Sequence, residues 1–270
     1  MAKKYAIFGD VHGNYTALKT ACDYIESEDI DKIFVTGDLV GYYTEPKRCI
    51  QKVKTIADLC IAGNHDKIII SDSFEEEIEL FNYHAQQALI WTRNHLLGKF
   101  SSRNNHSSSN LDEMNYLKKL HLREKTNLPN GERLLLTHGS PEDPWEYVFL
   151  PDTDENIIKK KKWRDLRDKL NYWFEKENVK LIIVGHTHVP HVLKLEDGYL
   201  INPGSIGQPR DRDPRASFII MTLKQNKSLL DPSTVEFKVV RLKYNIDEVV
   251  EKAKKAGLPE FLANRLYVGK

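Results

Sequence analysis

Residues Gly9-Asp-Val-His-Gly-Asn14 follow directly on the apolar run Tyr5-Ala-Ile-Phe8, and this junction indicates the fold. A short apolar run that ends in glycine is typical of a buried strand followed by a turn. Apolar residues at helical spacing between positions 18 and 25 then predict a helix. An open α/β sheet places its ligand site at the carboxyl ends of its strands, so Asp10 and His12 are candidate ligands.

The same junction, a strand-like run followed by a polar residue, recurs four more times along the chain. The further candidates are Asp38 after 33–37, Asn64 with His65 and Asp66 after 59–63, His138 after 134–137, and His186 with His188 after 181–185. In the first half, helical patterns between the strands indicate repeated βαβ units, which form parallel strands covered by helices. Five strand ends can therefore bring their polar residues to one point.

Beyond Val189 the pattern changes to short strands joined by turns, which predicts a mostly antiparallel set. Two sheets packed face to face, with helices outside, account for both halves of the chain, so the predicted class is α/β. There is no internal repeat and no linker, and we expect one domain over 1–270. A helical excursion is expected at about 73–128, with one long helix over Ser73–Leu97 and a flexible Ser- and Asn-rich loop over 98–110.

The composition argues against several function classes. The chain has 40 Lys and Arg residues against 39 Asp and Glu, so no net field draws it to nucleic acid or to a membrane surface. Its three cysteines lack the spacing of a zinc finger or of a redox pair, and we expect them in the core. It shows neither a secretory signal nor an apolar run near the ~20 residues that cross a bilayer, so a cytoplasmic location is expected.

The ligand types predict a centre with two metal ions. Carboxylate, imidazole and amide oxygen, without thiolate, favour manganese, iron or zinc. Seven ligands exceed the four of a tetrahedral zinc site, whereas they suit two ions that share a carboxylate, for which Asp38 is the natural bridge because it stands alone in its block. Two such ions can hold the attacking and leaving oxygens of an in-line displacement. The seven candidate metal ligands are Asp10, His12, Asp38, Asn64, His138, His186 and His188.

Two neighbours of Asn64 are candidate catalytic residues. His65 need not bind metal, and its imidazole near the metals could protonate a leaving oxygen. Asp66 could orient that imidazole, or it could instead cap a loop. The aromatic residues Tyr42, Tyr43, Trp145 and Tyr147 are candidate walls of the substrate pocket.

Taken in order, these blocks resemble the signature of the calcineurin-like metallophosphoesterases. The resemblance spans residues 9–188 and, through Asn202-Pro-Gly-Ser205 and the segment after it, extends to about 217 in a form similar to the compact prokaryotic phosphodiesterases. It implies the metallo-dependent phosphatase fold, a four-layer α/β/β/α sandwich of two mixed β-sheets flanked by helices. The implied roles are one metal on Asp10, His12 and His188, a second on Asn64, His138 and His186, Asp38 as the bridge, and His65 as the general acid.

The chain also departs from the protein Ser/Thr phosphatases of that superfamily. Those enzymes have an arginine just after the second motif, where this chain continues Leu39-Val-Gly-Tyr-Tyr43. Guanidinium groups from the later segment are candidates to compensate, because they match phosphate oxygens well. Arg210 and Arg215 are the first candidates for substrate binding; the alternative is a solvated loop in which arginines pair with Asp211 and Asp213.

The predicted function is that of a dinuclear metal-dependent phosphoesterase, with phosphodiesters favoured as substrates, in which a metal-bound hydroxide attacks phosphorus in line. The expected partner is a small-molecule phosphoester, without nucleic acid or membrane; the sequence leaves the oligomeric state open. The alternatives are a phosphomonoesterase or nucleotide polyphosphate hydrolase at the same site, a nuclease, which the neutral charge disfavours, and a non-catalytic metal-binding scaffold. The retained ligands and His65 argue against the last.

Overall fold

The computed structural model describes residues 2–100, 108–148, 157–224 and 227–270, with the backbone alone at 108–111 and 157–163. In these ranges ten strands form two five-stranded sheets. The strands are β1 (Ala2–Phe8), β2 (Lys32–Val35), β3 (Leu59–Cys60), β4 (Arg123–Asn127), β5 (Arg133–Thr137), β6 (Leu181–Ile183), β7 (His191–Lys194), β8 (Tyr199–Asn202), β9 (Ala216–Lys224) and β10 (Val235–Leu242).

Helices connect and cover these strands. The α-helices are α1 (Tyr15–Ser27), α2 (Pro46–Ile56), α3 (Asn64–Ile70), α4 (Phe74–Glu77), α5 (Tyr83–Leu96), α6 (Ser108–Lys119), α7 (Ile157–Glu177), α8 (Ile246–Lys255) and α9 (Glu260–Asn264), with short 3₁₀ helices at Ile78–Leu80 and Arg265–Tyr267. Within the described residues, no helix is both long and apolar enough to cross a membrane.

Both sheets are mixed, as predicted. The first has the order β10-β9-β1-β2-β3, with β1, β2 and β3 parallel and β9 antiparallel to both β1 and β10. The second has the order β4-β5-β6-β8-β7, with β5, β6 and β8 parallel and the two outer strands antiparallel. The late strands therefore do not form a sheet of their own: β7 and β8 join the second sheet, whereas β9 and β10 return to the first.

Alternation along β1 shows how the first sheet is covered. Successive residues of a strand point to opposite faces of the sheet. Tyr5 and Ile7 pack between the two sheets, whereas Ala6 and Phe8 pack with residues of α1 such as Leu18. Each face therefore has its own apolar core.

The second sheet repeats this arrangement. Leu181 and Ile183 of β6 face the first sheet, and Ile182 between them packs with Trp173 of α7. The layers are thus helix, sheet, sheet and helix, which confirms the predicted four-layer sandwich. The parallel strands of both sheets end at the same edge of the molecule, where the candidate ligands follow.

The predicted long helix over Ser73–Leu97 is wrong. The chain forms α4 and a 3₁₀ turn, becomes extended at Phe81 and Asn82, and begins again as α5. The Asn82 side chain accepts a hydrogen bond from the Ala85 amide, so it caps a new helix N-terminus. The apolar residues keep their helical spacing across this break, so the spacing did not reveal it. The sequence signal for the break is Asn82, a residue type that favours helix N-caps.

Two further expectations change in part, and one region was not predicted. The excursion predicted at about 73–128 is helical only to Lys119, because Arg123–Asn127 forms the edge strand β4. Of the loop predicted at 98–110, residues 101–107 lie outside the described residues, and Ser108 already begins α6. The chain after Leu242 forms α8 and α9, which the strand pattern did not indicate. The extent of the domain stays a prediction.

Candidate metal centre

The structure brings the seven candidate metal ligands together at the carboxyl ends of β1, β2, β3, β5 and β6. Three groups have ligand atoms that all lie within 4.8 Å of one another: Asp10 with His12 and His188, His12 with Asp38 and His65, and Asp38 with His138 and His186. Asn64 joins them, since its Oδ1 lies 3.2 Å from His138 Nε2. We call Asp10, His12, Asp38, Asn64, His138, His186 and His188 the ligand cluster.

Most of this cluster has a strained backbone. In the described residues, seven non-glycine positions have positive φ, and five of them belong to the cluster. Left-handed backbone at a residue with a Cβ atom costs roughly 1–3 kcal/mol and persists where the surroundings impose it. The five are Asp10 (φ 49°), His12 (φ 53°), Asp38 (φ 52°), His186 (φ 67°) and His188 (φ 59°).

Close packing of the loops explains two glycines that precede ligands. A Cβ atom on Gly63 would lie 2.0 Å from Asp38 Oδ1, and one on Gly37, whose φ is +92°, would lie 2.3 Å from the Gly63 nitrogen. No side chain fits between the two loops. The glycine at the end of each strand therefore lets the Asp38 loop lie directly against the start of α3.

Each cluster histidine has one ring nitrogen bonded to a backbone carbonyl. A carbonyl oxygen only accepts, so that ring nitrogen must carry the hydrogen, and in the neutral ring the other nitrogen keeps its lone pair. The bonds run from His12 Nδ1 to Val40 (3.1 Å), from His138 Nδ1 to Thr36 (2.8 Å), from His188 Nδ1 to Gln208 (2.5 Å) and from His186 Nε2 to Trp145 (3.1 Å).

The lone pairs fixed in this way converge. His12 Nε2 and His188 Nε2 are 3.1 Å apart, and His188 Nε2 is 3.2 Å from Asp10 Oδ1. On the other side, His138 Nε2 is 3.3 Å from Asp38 Oδ2. Buried acceptors that face one another have no hydrogen to share, which is costly unless a cation lies among them. The residues present therefore fit metal ions.

Electrostatics agree for most of the imidazoles. Burial lowers the pKa of His12 and of His188, and lowers that of His186 to about 2, so these rings are neutral, which is the form that binds metal. His138 differs: burial lowers its pKa, but the Asp38 and Asp10 carboxylates and the hydrogen bond to Thr36 together outweigh burial and raise the pKa to about 9. A cation between His138 and Asp38 would take the place of that proton.

Asp66 does not orient His65, so its predicted catalytic role is corrected. Its Oδ1 accepts hydrogen bonds from the amides of Leu39 (2.9 Å) and Val40 (3.3 Å), and its Oδ2 accepts one from Gly63 (3.0 Å). The loop-capping alternative matches this geometry. Asp66 thus ties the loop that follows Asp38 to the start of α3, and burial raises its pKa to about 7.

His65 is held differently from the cluster histidines. Its Nδ1 is buried next to Gly41 and has no hydrogen-bond partner in the described part of the chain. The ring packs edge-on against Phe81, with centroids 5.4 Å apart, and lies 4.7 Å from the Tyr42 ring. Since Nδ1 is enclosed and the residue lines the cleft described below, only Nε2 is left to act there.

The two candidate substrate-binding arginines have different surroundings in the structure. Arg210 lies beside the cluster: its Nη2 donates to the Tyr42 hydroxyl (3.2 Å), and its charge acts on His188. Arg215 is exposed, and its Nη2 lies 2.5 Å from Asp213 Oδ2 in an ion pair. This geometry matches the solvated-loop alternative for Arg215, and its role in substrate binding stays a prediction.

A cleft of about 320 Å³ opens next to His65 and His186, a size within the usual range of small-molecule sites, roughly 300–1,000 Å³. Three of the aromatic walls were predicted, whereas Tyr43 is fully buried and donates to the Leu262 carbonyl (3.0 Å). The sequence did not indicate the wall from 77–82, which the break before α5 brings in. The lining residues are Tyr42, Asn64, His65, Lys67, Ile68, Glu77, Leu80, Phe81, Asn82, Trp145, Tyr147 and His186.

Comparisons with known proteins agree with this geometry. Residues 4–226 match the model of the calcineurin-like phosphoesterase superfamily domain. A protein of Methanocaldococcus jannaschii described as uncharacterized is 30% identical over an alignment of 282 positions that covers 98% of this chain and 98% of that protein. The crystal structure of a metallophosphoesterase from Sphaerobacter thermophilus is 29% identical with a TM-score of 0.71 and covers 100% of both chains. A hypothetical protein from Pyrococcus horikoshii OT3 shares the fold, at 20% identity and a TM-score of 0.75 over 99% of this chain and 98% of that one.

We expect Mn²⁺ or Zn²⁺ to stabilise the EDTA-treated protein through Asp38. At a hundred times Kd, ligand binding adds about 2.7 kcal/mol, which raises the Tm of a chain of this size by roughly 5–10 °C. Asp38→Asn should lose most of that shift in differential scanning fluorimetry. Asp213→Asn, in the ion pair with Arg215, is the matched control and should keep it. An equal shift in Asp38→Asn and wild type would contradict the site.

Asp66→Ala should destabilise the fold by about 3 kcal/mol or more, because three amides lose their acceptor, two of them at buried positions of the Asp38 loop. Asp66→Asn keeps one acceptor oxygen and should lose less. Urea unfolding followed by circular dichroism measures both. Asp23→Ala, from an exposed pair with Lys19, serves as the control and should change the stability by less than about 1 kcal/mol. A loss in Asp66→Ala as small as that of the control would contradict the structural role.

Proposed function

The chain belongs to the calcineurin-like phosphoesterase superfamily, and on this premise we propose that it hydrolyses phosphoric esters with two metal ions and prefers phosphodiesters. One observation carries the proposal: the lone pairs of the ligand cluster converge from two sides on Asp38. Its Oδ2 lies 3.6 Å from His12 Nε2 and 3.3 Å from His138 Nε2. Asp38 thus stands between the two groups of ligands, as a bridging carboxylate would.

The cluster divides into two sets around that bridge. Asp10, His12 and His188 would hold one ion, and Asn64, His138 and His186 the other, with manganese, iron or zinc favoured by oxygen and imidazole ligands. Such ions, when bound, supply positive charge for the phosphoryl oxygens and lower the pKa of a water molecule. The chain supplies the fixed orientation of every ligand, through the backbone carbonyls that hold the imidazoles.

His65 is proposed as the general acid. His65 lines the cleft, and its Nδ1 has no hydrogen-bond partner within the described residues, which leaves Nε2 for the proton transfer. Burial lowers the pKa of His65 to about 4 in the free protein. The negative charge of a bound phosphoester would raise this pKa, because an opposite charge stabilises the imidazolium. The proton at Nε2 would then pass to the leaving oxygen.

The apolar wall of the cleft supports a diester rather than a monoester. Ile68, Leu80, Phe81 and Trp145 line the space beside His65, where an organic group esterified to the phosphate can pack. The alternative is a phosphomonoesterase or nucleotide polyphosphate hydrolase at the same site, and the nearby cation Arg210 favours it. A metal-binding scaffold without catalysis is the alternative of another class. The proposed partner is a small-molecule phosphoester.

The proposal is tested by hydrolysis of bis-p-nitrophenyl phosphate and p-nitrophenyl phosphate. We expect EDTA to abolish activity, Mn²⁺ to restore it, and kcat/KM to favour the diester. Asp38→Asn, with its metal sites weakened, should stay inactive. Preference for the monoester would establish the alternative enzyme. No hydrolysis of either ester, with two metals bound per chain by elemental analysis, would argue for the scaffold.

His65→Ala should lower kcat by roughly 10²–10⁴, the usual worth of a general acid, while leaving the metal content unchanged. Stopped assays and elemental analysis of the same samples give both quantities. His121→Ala is the control, because this imidazole is 72% exposed and lies outside the cluster. Loss of bound metal in His65→Ala would assign the residue to metal binding instead.

A further inference from the structure

Gln208 is fully buried and lies directly beside a ligand of the cluster. Its backbone carbonyl accepts the hydrogen bond from His188 Nδ1 (2.5 Å), and its backbone amide donates to the Ser205 hydroxyl (2.7 Å). The Arg210 amide in turn donates to the His188 carbonyl (3.3 Å). Two hydrogen bonds thus attach the segment 208–210 to one candidate metal ligand, so the side chains of this segment start from a fixed backbone.

The Gln208 side chain uses both ends of its carboxamide. Its Oε1 accepts from Arg210 Nε (3.2 Å) and Nη2 (3.0 Å), and its Nε2 donates to the Tyr43 hydroxyl (3.3 Å). That hydroxyl donates to the Leu262 carbonyl (3.0 Å), which leaves its oxygen free to accept from Gln208. A guanidinium group only donates, so the reversed carboxamide would set its NH₂ group against donors. These contacts fix the orientation of the carboxamide.

Arg210, the cation that Gln208 holds, lies beside the cleft. Its Nη2 donates to the Tyr42 hydroxyl (3.2 Å), and Tyr42 is one of the residues that line the cleft. The centroid of the Tyr42 ring lies 4.6 Å from that of His12 and 4.7 Å from that of His65. The charge of Arg210 also contributes to lowering the pKa of both imidazoles. An anion bound at the ligand cluster would therefore be attracted by this cation.

Both of these acceptors of Arg210 are neutral. A carboxamide carries no charge, and burial raises the pKa of Tyr42, so its phenol keeps the proton. Arg215 in the same loop is instead paired with the Asp213 carboxylate. Within the described ranges, no carboxylate forms an ion pair with Arg210. A partly buried guanidinium group without a counter-ion keeps its attraction for phosphate oxygens, which it binds through charge-assisted hydrogen bonds.

We propose that Gln208 is a positioning residue for substrate binding, whose neutral carboxamide orients Arg210 toward the phosphoryl group without neutralising it. The inference rests on the proposed function, with Arg210 as the residue that contacts the phosphate. A carboxylate at position 208 would hold the guanidinium group as firmly, but it would also supply the negative charge that the substrate brings. Glutamine therefore keeps the cation available to the substrate.

The test is calorimetric titration of the metal-loaded protein with inorganic phosphate. Gln208→Met removes an acceptor of Arg210 and should weaken phosphate binding by roughly threefold to tenfold. Gln208→Glu keeps an acceptor but adds a counter-charge, and it should weaken binding more, by on the order of tenfold to a hundredfold relative to wild type. If Gln208 served only as an acceptor, Gln208→Glu would bind phosphate nearly as wild type does and Gln208→Met would be the weaker variant. That order overturns the proposal.

A double-mutant cycle shows whether Gln208 acts through Arg210. Arg210→Gln should itself weaken phosphate binding, and adding Gln208→Met to it should cause little further loss; fully additive losses contradict the proposal. Tyr43→Phe is the matched control, because it removes the partner of Gln208 Nε2 and leaves the contact with Arg210. It should keep the phosphate affinity, and a loss equal to that of Gln208→Glu would assign the effect to packing and overturn the proposal. Loss of metal from the Gln208 variants, measured by elemental analysis, would trace the effect to His188 and overturn it too.

Phosphate binding separates this inference from the proposed function, because it is measured without turnover. A protein that hydrolyses neither p-nitrophenyl ester but shows the expected order of the Gln208 variants loses the proposed function and keeps Gln208 as a positioning residue for phosphate. Conversely, an active esterase in which Gln208→Glu binds phosphate as wild type does retains the proposed function and loses the inference. A wild-type protein that binds no phosphate with both metals in place also overturns the inference.

Discussion

The structure depends on one constraint: carboxylates and imidazoles from five loops must face one another inside the protein. Their lone pairs repel, and burial removes the water that would separate them. The fold meets this cost on the outer side of the site, where backbone carbonyls hold the histidine rings and the Asp66 carboxylate gathers the amides of the Asp38 loop. Left-handed backbone at five ligands is a further part of the cost. A metal ion is the group that such an arrangement is suited to receive.

The convergence of the candidate ligands could be predicted from the sequence because their positions follow from local rules. A strand that ends in glycine and a polar residue shows where the residue lies, and parallel topology shows that such ends meet. The contacts that a side chain makes could not be predicted in this way. Asp66 stands next to His65 in sequence but points to amides of another loop, and Arg210 and Arg215 differ only in which acceptors surround them. Tertiary contacts decide these roles, and residue type does not report them.

The layers of the fold were predictable for the same reason, whereas their borders were not. Alternating apolar residues indicated the buried strands, and a 3.6-residue period indicated the helices. A helical period cannot distinguish one long helix from two helices whose apolar faces are aligned, and the chain forms a new helix after Asn82. The C-terminal helices were missed because the preceding strands dominated the reading. Both features bear on the site, since the break brings Phe81 to His65 and helix α9 brings the Leu262 carbonyl to the Tyr43 hydroxyl.

The position of β1 inside its sheet means that the sheet can be completed only after a late part of the chain has been synthesised. This strand lies between β2 and β9, and its neighbour β9 comes some two hundred residues later in the chain. During synthesis, residues 2–8 leave the ribosome long before residues 216–224 exist. Until then, the edge of β1 that pairs with β9 has no hydrogen-bonding partner. The Asp10 carbonyl likewise awaits the Gly207 amide. Such distant pairing slows folding and exposes an edge to other chains in the interval. The nascent chain is therefore expected to rely on chaperones until β9 (Ala216–Lys224) has been synthesised.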